Sequence, residues 1–175
     1  MPVRKTKIVL DADVIIHFAK GGKLSLLPQI LPEFTFLILD IVRNELPALV
    51  LAELQNMIQR DRTIAEETFG KNSGECREYA RLISASGLGL GRGESACMVY
   101  CLYHNDVLGS SNLRDVRQYC DDNGITYLTT IDFLFYAISR GVMSRDDAET
   151  FCQKVVAMGS KLPQVDFDTY FCDKI

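Results

Sequence analysis

The residues most able to do chemistry in this sequence are acids that follow apolar runs. Asp11 and Asp13 come directly after Ile8-Val9-Leu10, Glu45 follows the run that ends at Leu39, and Glu94 follows a glycine-rich stretch at 87–93. Asp115 lies just past Ser110-Ser111-Asn112, and Asp132 follows the run ending at Leu128. Asp11 is the most telling, because it ends a run that should be buried, and a charge there needs a partner or a cation. If several of these carboxylates converge, two charges about 4 Å apart repel by about 4 kcal/mol at an effective dielectric of about 20. Such a cluster needs neutralising, and all-oxygen ligands suit Mg²⁺ or Mn²⁺. An ion of that kind activates water and stabilises charge developing on a phosphodiester, the logic of a metal-assisted nuclease. Each acid also has a plainer role: Asp13, Asn112 and Glu94 fall near expected helix starts, where side-chain oxygens cap amides and negative charge meets the helix dipole. Glu45 taken alone reads as a solvated helix face.

The elements that must position these acids follow from the hydrophobic pattern. Thr6 to Leu10 reads as a buried parallel strand, and Val14, Ile15, Phe18 and Ala19 recur at helical spacing until Gly21-Gly22. A short helix is expected over Leu24 to Ile30 and a second strand over Phe34 to Leu39. Asp40 reads as the N-cap of a helix that carries Glu45, with Pro47 breaking or kinking it before a helical arm from Leu49. A helix near Glu75 to Ser84 leads into the glycine-rich loop, and Glu94 opens the next helix. Strand Asp106 to Gly109, helix Leu113 to Asp122, a turn at Asn123-Gly124, strand Ile125 to Leu128 and helix Ile131 to Arg140 continue the alternation. A last helix over Ser144 to Met158, capped by Ser144, precedes an aromatic tail from Pro163 to Ile175. Alternating strands and helices joined by short polar turns imply a three-layer α/β/α fold with a central parallel sheet. With no repeat or interior linker, residues 1–175 read as one domain with a C-terminal helix and tail from about 144.

Composition narrows the function. The 175 residues are 47% hydrophobic and 24% charged, enough to bury a core without disulfides or a structural metal. Nineteen basic against 23 acidic residues give a net charge of -4, which excludes binding of nucleic acid by a general basic surface. An anionic substrate must therefore be met locally, and Arg43, Arg92, Arg114 and Arg117 are candidate phosphate clamps, with a solvated helix face as the plainer reading of each. No run approaches the ~18 apolar residues of a membrane span, so a cytoplasmic protein with no membrane contact is expected. The six cysteines form no C-x-x-C pair and read as reduced, mostly buried side chains.

The ordered segments Ile8-Val-Leu-Asp11-Ala-Asp13, Ile38-Leu-Asp-Ile-Val-Arg-Asn-Glu45-Leu, Gly91-Arg-Gly-Glu94-Ser-Ala and Val107-Leu-Gly-Ser110-Ser-Asn112-Leu-Arg-Asp115 together resemble a PIN-domain nuclease. The likeness runs from about Thr6 to Gly141. It implies a PIN-like fold and one or two divalent ions held by acids from separate segments, with Asp11, Glu45 and Glu94 similar to the first three. Asn112 stands where that family usually has aspartate, and Asp115, one helical turn on, can supply the missing carboxylate. On this resemblance Asp11, Glu94, Asn112 and Asp115 hold Mg²⁺ or Mn²⁺, and Glu45 either completes the shell or orients the attacking water. Ser110 resembles the family's Ser/Thr beside the fourth acid, and Asp132 its occasional extra acid, while Asp13 supports the turn. Many PIN proteins are ribonuclease toxins paired with an antitoxin, so the resemblance implies an RNA substrate and an antitoxin partner. The helical arm from Leu49 to Arg62 reads as a homodimer or partner surface, with core packing an equal reading of its apolar positions.

Two other classes compete. Asp11-Ala-Asp13 after an apolar strand also resembles a haloacid-dehalogenase-like phosphatase, with Asp11 as nucleophile, Asp13 as general acid and Ser110 as phosphate binder. That reading lacks a lysine followed by a strand ending in paired acids, since Asp121-Asp122 come at a helix end, before a strand instead of after one. The other is a PIN-like scaffold that lost its metal through Asn112 and binds RNA or a protein. The glycine-rich loop follows a helix instead of a strand, so a dinucleotide fingerprint fails on context. His17 and His104 share no motif, and Cys97 with Cys101 reads as core packing over half a metal site.

Overall fold

A computed structural model describes residues 4–85 and 90–175. The chain enters the sheet at β1 (Lys7–Leu10), whose Ile8, Val9 and Leu10 are fully buried. Such a run without alternation belongs to a parallel strand covered on both faces. Helix α1 (Ala12–Lys20), a 3₁₀ turn (Leu24–Leu26) and α2 (Leu27–Ile30) lead to β2 (Thr35–Leu39). Then come α3 (Asp40–Arg43), α4 (Ala48–Gln59), β3 (Ile64–Glu67), α5 (Ser73–Ser84) and α6 (Arg92–His104). The chain finishes with β4 (Val107–Gly109), α7 (Leu113–Asn123), β5 (Tyr127–Leu128), α8 (Thr130–Ser139) and α9 (Arg145–Ala157).

The five strands form one all-parallel sheet in the order β3-β2-β1-β4-β5. Val9 lies opposite Leu37 on one side and Leu108 on the other, so β1 is the central strand. Helices α1, α2, α4, α8 and α9 pack among themselves in one layer, and α5, α6 and α7 with α3 form the other. The architecture is therefore the expected α/β/α sandwich. In such sheets ligands bind beyond the carboxyl ends of the strands where the order reverses, here between β1 and β4.

Four local readings change. β3 is an edge strand with only Ile64 buried, and its Ala65-Glu66-Glu67 continuation reads as loop because an edge need not alternate. Asp40 is the first residue of α3 instead of its cap, and its Oδ1 accepts from the amides of Ile41 (2.8 Å) and Phe69 (3.0 Å). Helix α3 stops at Arg43, leaving Glu45 in the turn closed by its own N–H to Val42 O, while Pro47 caps α4. α4 is no projecting arm: Leu54 and Met57 are buried and it packs on α1 and β3, although Leu49 at its start is exposed. Of the glycine-rich stretch, Gly87 to Gly89 lie outside the described residues, and Gly91 caps α6.

Helix α9 seals the α1 side. Phe151 packs against Phe18 with ring centroids 5.0 Å apart and the ring planes tilted by 56°, and its ring approaches Gly21 so closely that a Cβ there would stand 2.2 Å from Cδ2 and Cε2. Phe151 is buried and cannot swing clear, so Gly21→Ala is expected to destabilise the fold by about 3 kcal/mol through overpacking. Scanning calorimetry should show a melting temperature lower by about 5–10 °C. The tail beyond Leu162 has no helix or strand but is anchored along α8: Asp132 accepts from Tyr170 Oη (2.6 Å) and Lys174 Nζ (3.0 Å), and Lys174 lies 4.3 Å from the Tyr127 ring centroid.

Candidate active site

Asp11 leaves the end of β1 as the N-cap of α1. Its Oδ1 accepts from Ala12 N (2.8 Å) and its Oδ2 from Ser110 Oγ (3.3 Å), so the serine after β4 steadies the acid after β1. Asp13, in the first turn of α1, accepts from Val14 N (2.6 Å) and Ser111 N (2.9 Å), tying α1 to the loop after β4. These bonds fix Asp13 on the cleft wall between α1 and that loop. Asn112 Nδ2 donates to Asp115 Oδ2 at 2.8 Å, fixing the first turn of α7. Glu94 sits in the first turn of α6 and is buried despite its charge. Glu45 reaches across from the α3 turn and accepts the Gly93 amide on Oε1 at 3.0 Å.

These groups line one cleft of about 530 Å³, whose wall includes Asp11, Asp13, Glu45, Glu94, Asn112 and Asp115. Burial is the main cause that pushes Asp11 well above the carboxylate range, with the charges of Asp13 and Glu94 adding to it. Asp13 is pushed up to about 6, again by burial. Glu94 is pushed up to about 7 by burial and then by Asp115 and Asp13, against the lowering effect of the Gly91 backbone and Asn112. Among the described residues no three His, Cys, Asp or Glu side chains stand close enough to hold an ion as they are. The donor chemistry nonetheless fits a hard divalent cation, since the acids on the wall offer only oxygen and their mutual repulsion favours a positive charge among them.

Not every sequence candidate joins the cleft. Ser110 is fully buried behind Asp11. Arg43 is turned to Glu66 at 3.0 Å, Arg117 to Asp121 at 3.7 Å, and the exposed Arg92 and Arg114 lie off the wall. Asp132 is used elsewhere: with Thr129 it closes the capping box of α8, and it receives Tyr170 and Lys174, which together hold it below the usual carboxylate range against the cost of burial. Asp121 and Asp122 lie in the exposed last turns of α7. His104 meets Glu75 at 2.6 Å, and Cys97 and Cys101 are buried on α6. Two cleft residues escaped the sequence reading, His17 and Lys161. His17 belongs to the apolar pattern of α1, and Lys161 is brought in only by the packing of α9, so neither has a local signature.

Among the described residues no helix is long and apolar enough to cross a membrane. No curated protein matches the chain. A family model described as a PIN domain matches residues 7–162, a span that takes in β1 through α9 and every acid of the cleft. PIN domains are generally nucleases that hydrolyse phosphodiesters. With its all-parallel sheet and acids gathered beyond the strand ends, this chain belongs to the PIN-domain family.

Proposed function

We propose that the chain is a divalent-metal-dependent ribonuclease. The observation that carries this reading is that Asp11, Glu45, Glu94 and Asp115, from four separate segments, line one cleft beyond the carboxyl ends of β1 and β4. Asp11, Glu94, Asn112 and Asp115 would hold Mg²⁺ or Mn²⁺, which supplies a polarised water and offsets negative charge on the phosphodiester. The chain's own groups do the positioning. The Gly93 amide holds Glu45 through Oε1, leaving Oε2 to orient the attacking water and receive its proton. Ser110 Oγ and Ala12 N hold Asp11 in one orientation, and the Asn112 amide does the same for Asp115. Water oxygen bonds to phosphorus as the bond from phosphorus to the leaving ribose oxygen breaks, and that oxygen takes a proton from solvent water to leave as the hydroxyl.

The test is cleavage of a labelled single-stranded oligoribonucleotide in Mn²⁺. Asp11→Asn is expected to slow it more than about 10²-fold, beyond what losing an outer-shell partner of a metal costs. Cleavage at an unchanged rate by a folded Asp11→Asn protein overturns the proposal. Calorimetric titration with Mn²⁺ checks the same site without RNA, with weaker binding expected for Asp115→Ala. A toxin role, with an antitoxin partner, is the finer part of the proposal: expression of the wild type arrests growth and that of Asp11→Asn does not. Asn112 favours one second reading, a metal-free scaffold that binds RNA or a protein, for which neither Mn²⁺ binding nor cleavage is expected.

A further inference from the structure

A cleft walled by carboxylates repels the phosphodiester it is to cut, and a chain of net charge -4 has no general positive field to offset that. Lys161 is the one Lys or Arg lining the cleft among the described residues. It is exposed, and no ion pair or side-chain hydrogen bond engages it among them. Its place is nevertheless built. After α9, Gly159 takes a left-handed φ of +89° and donates to Val156 O (2.9 Å), Ser160 N donates to Val155 O (3.2 Å), and Lys20 at the end of α1 donates to Ser160 Oγ at 2.8 Å. The contact of Phe151 with Gly21 locks the same two helices. The residue after Ser160 is thereby set beside Ile16 and His17 of α1, at the acids' cleft.

His17 is buried on the same wall, and its Nδ1 lies 2.9 Å from Thr130 Oγ1. Ser111, whose amide holds Asp13, donates its hydroxyl to Thr130 Oγ1 at 2.7 Å, and the Thr130 amide donates back to Ser111 Oγ at 2.8 Å. When Nδ1 accepts the Thr130 hydroxyl hydrogen, the tautomer this pairing admits carries the imidazole proton on Nε2, the nitrogen that makes no bond among the described residues. Burial and the nearby Lys20 charge keep the ring neutral, with its pKa lowered to about 4.

Resting on the ribonuclease reading, we infer that Lys161 and His17 form a subsite for one backbone phosphate of the RNA strand, the ammonium and the imidazole N–H both donating to its non-bridging oxygens. The subsite supplies the positive charge that the arginines, turned elsewhere, do not.

The test is binding of a fluorescein-labelled single-stranded oligoribonucleotide, read by anisotropy on the full-length Asp11→Asn protein so that no turnover is needed. Adding Lys161→Ala is expected to weaken binding about tenfold, the loss of one charge-assisted hydrogen bond, and to flatten the slope of log affinity against log salt by about 0.7. Lys161→Arg keeps affinity within about threefold, and His17→Phe, which retains the ring but not the donor, weakens it about fivefold. Lys154→Ala, an exposed cation of α9 away from the cleft, leaves both readouts unchanged. In the active protein Lys161→Ala raises KM with little change in kcat. The inference is overturned if Lys161→Ala binds with the same affinity and salt slope, or if the Asp11→Asn protein binds no RNA at all. If binding behaves as expected but the wild type leaves RNA intact in Mn²⁺, the subsite stands and the nuclease reading falls.

Discussion

Glu94→Gln is expected to make the metal-free protein melt at a higher temperature while removing the RNA cleavage proposed for it. The native Glu94 carboxyl is pushed from 4.5 up to about 7, first by burial and then by the charges of Asp115 and Asp13. A folded-state pKa raised above the unfolded value contributes stability that is fully present below about 4.5 and lost as pH rises through about 7. Asp11 and Asp13 are shifted in the same direction, so ionising the cleft works against the fold as a whole. Glutamine keeps the shape and removes the charge, and at pH 8 it should recover about 2 kcal/mol, raising the melting temperature by about 6 °C. At pH 5 the difference between variant and wild type should shrink to about a quarter of that. His17 acts in the opposite sense, since its lowered pKa costs stability as pH falls from 6.5 to about 4. Comparing the two proteins at the same pH cancels that contribution. Mn²⁺ should raise the melting temperature of the wild type more than that of Glu94→Gln, because ligand binding stabilises only the state that can bind it. A variant less stable than wild type at pH 8 without metal would show that the carboxylates do not oppose one another.

The same electrostatics explain how much of the site was legible in the sequence. β1 is readable because burial on both faces leaves three consecutive apolar residues, and Asp11 at its end is then an anomaly that demands a reason. Glu94 and Asp115 are readable as acids at helix starts, and their meeting follows from the alternation that makes the sheet parallel. What was hidden depends on side-chain direction or on remote packing. Arg43 had the right neighbours in sequence, but the acidic edge strand β3, itself invisible as a strand, captures its guanidinium through Glu66. Asp132 follows a strand as a site acid would, yet the tail supplies Tyr170 and Lys174 and turns it into an anchor. Lys161 reaches the cleft because a left-handed glycine and the Lys20–Ser160 bond fold the end of α9 back on α1. None of those contacts has a fixed spacing to read.

Gly93→Ala is expected to disable the site with little loss of fold. Gly93 is buried in the first turn of α6, in helical conformation, so alanine suits its backbone. A Cβ there would stand 2.6 Å from Glu45 Oε2, 3.1 Å from its Cδ and 3.2 Å from Val42 Cγ2. Oε2 and Cδ belong to the far end of a flexible side chain, which can rotate away, while Val42 is buried and must yield by a few tenths of an ångström. The stability cost should therefore stay near about 1 kcal/mol, less than that of Gly21→Ala, where the obstacle is a buried ring. The functional cost is larger. Rotating Glu45 breaks its bond to the Gly93 amide and moves the oxygen assigned to the attacking water by about 1 Å or more, a misplacement that costs roughly 10²-fold in rate. Because Asp11, Glu94 and Asp115 are untouched, Mn²⁺ affinity should change far less than cleavage, and KM for RNA should hold while kcat falls. The pairing of Gly93→Ala with Glu45→Gln tests the assignment: if both act through the same oxygen, the double variant is little slower than either single one, whereas multiplied losses would mean that the glycine serves α6 and not Glu45.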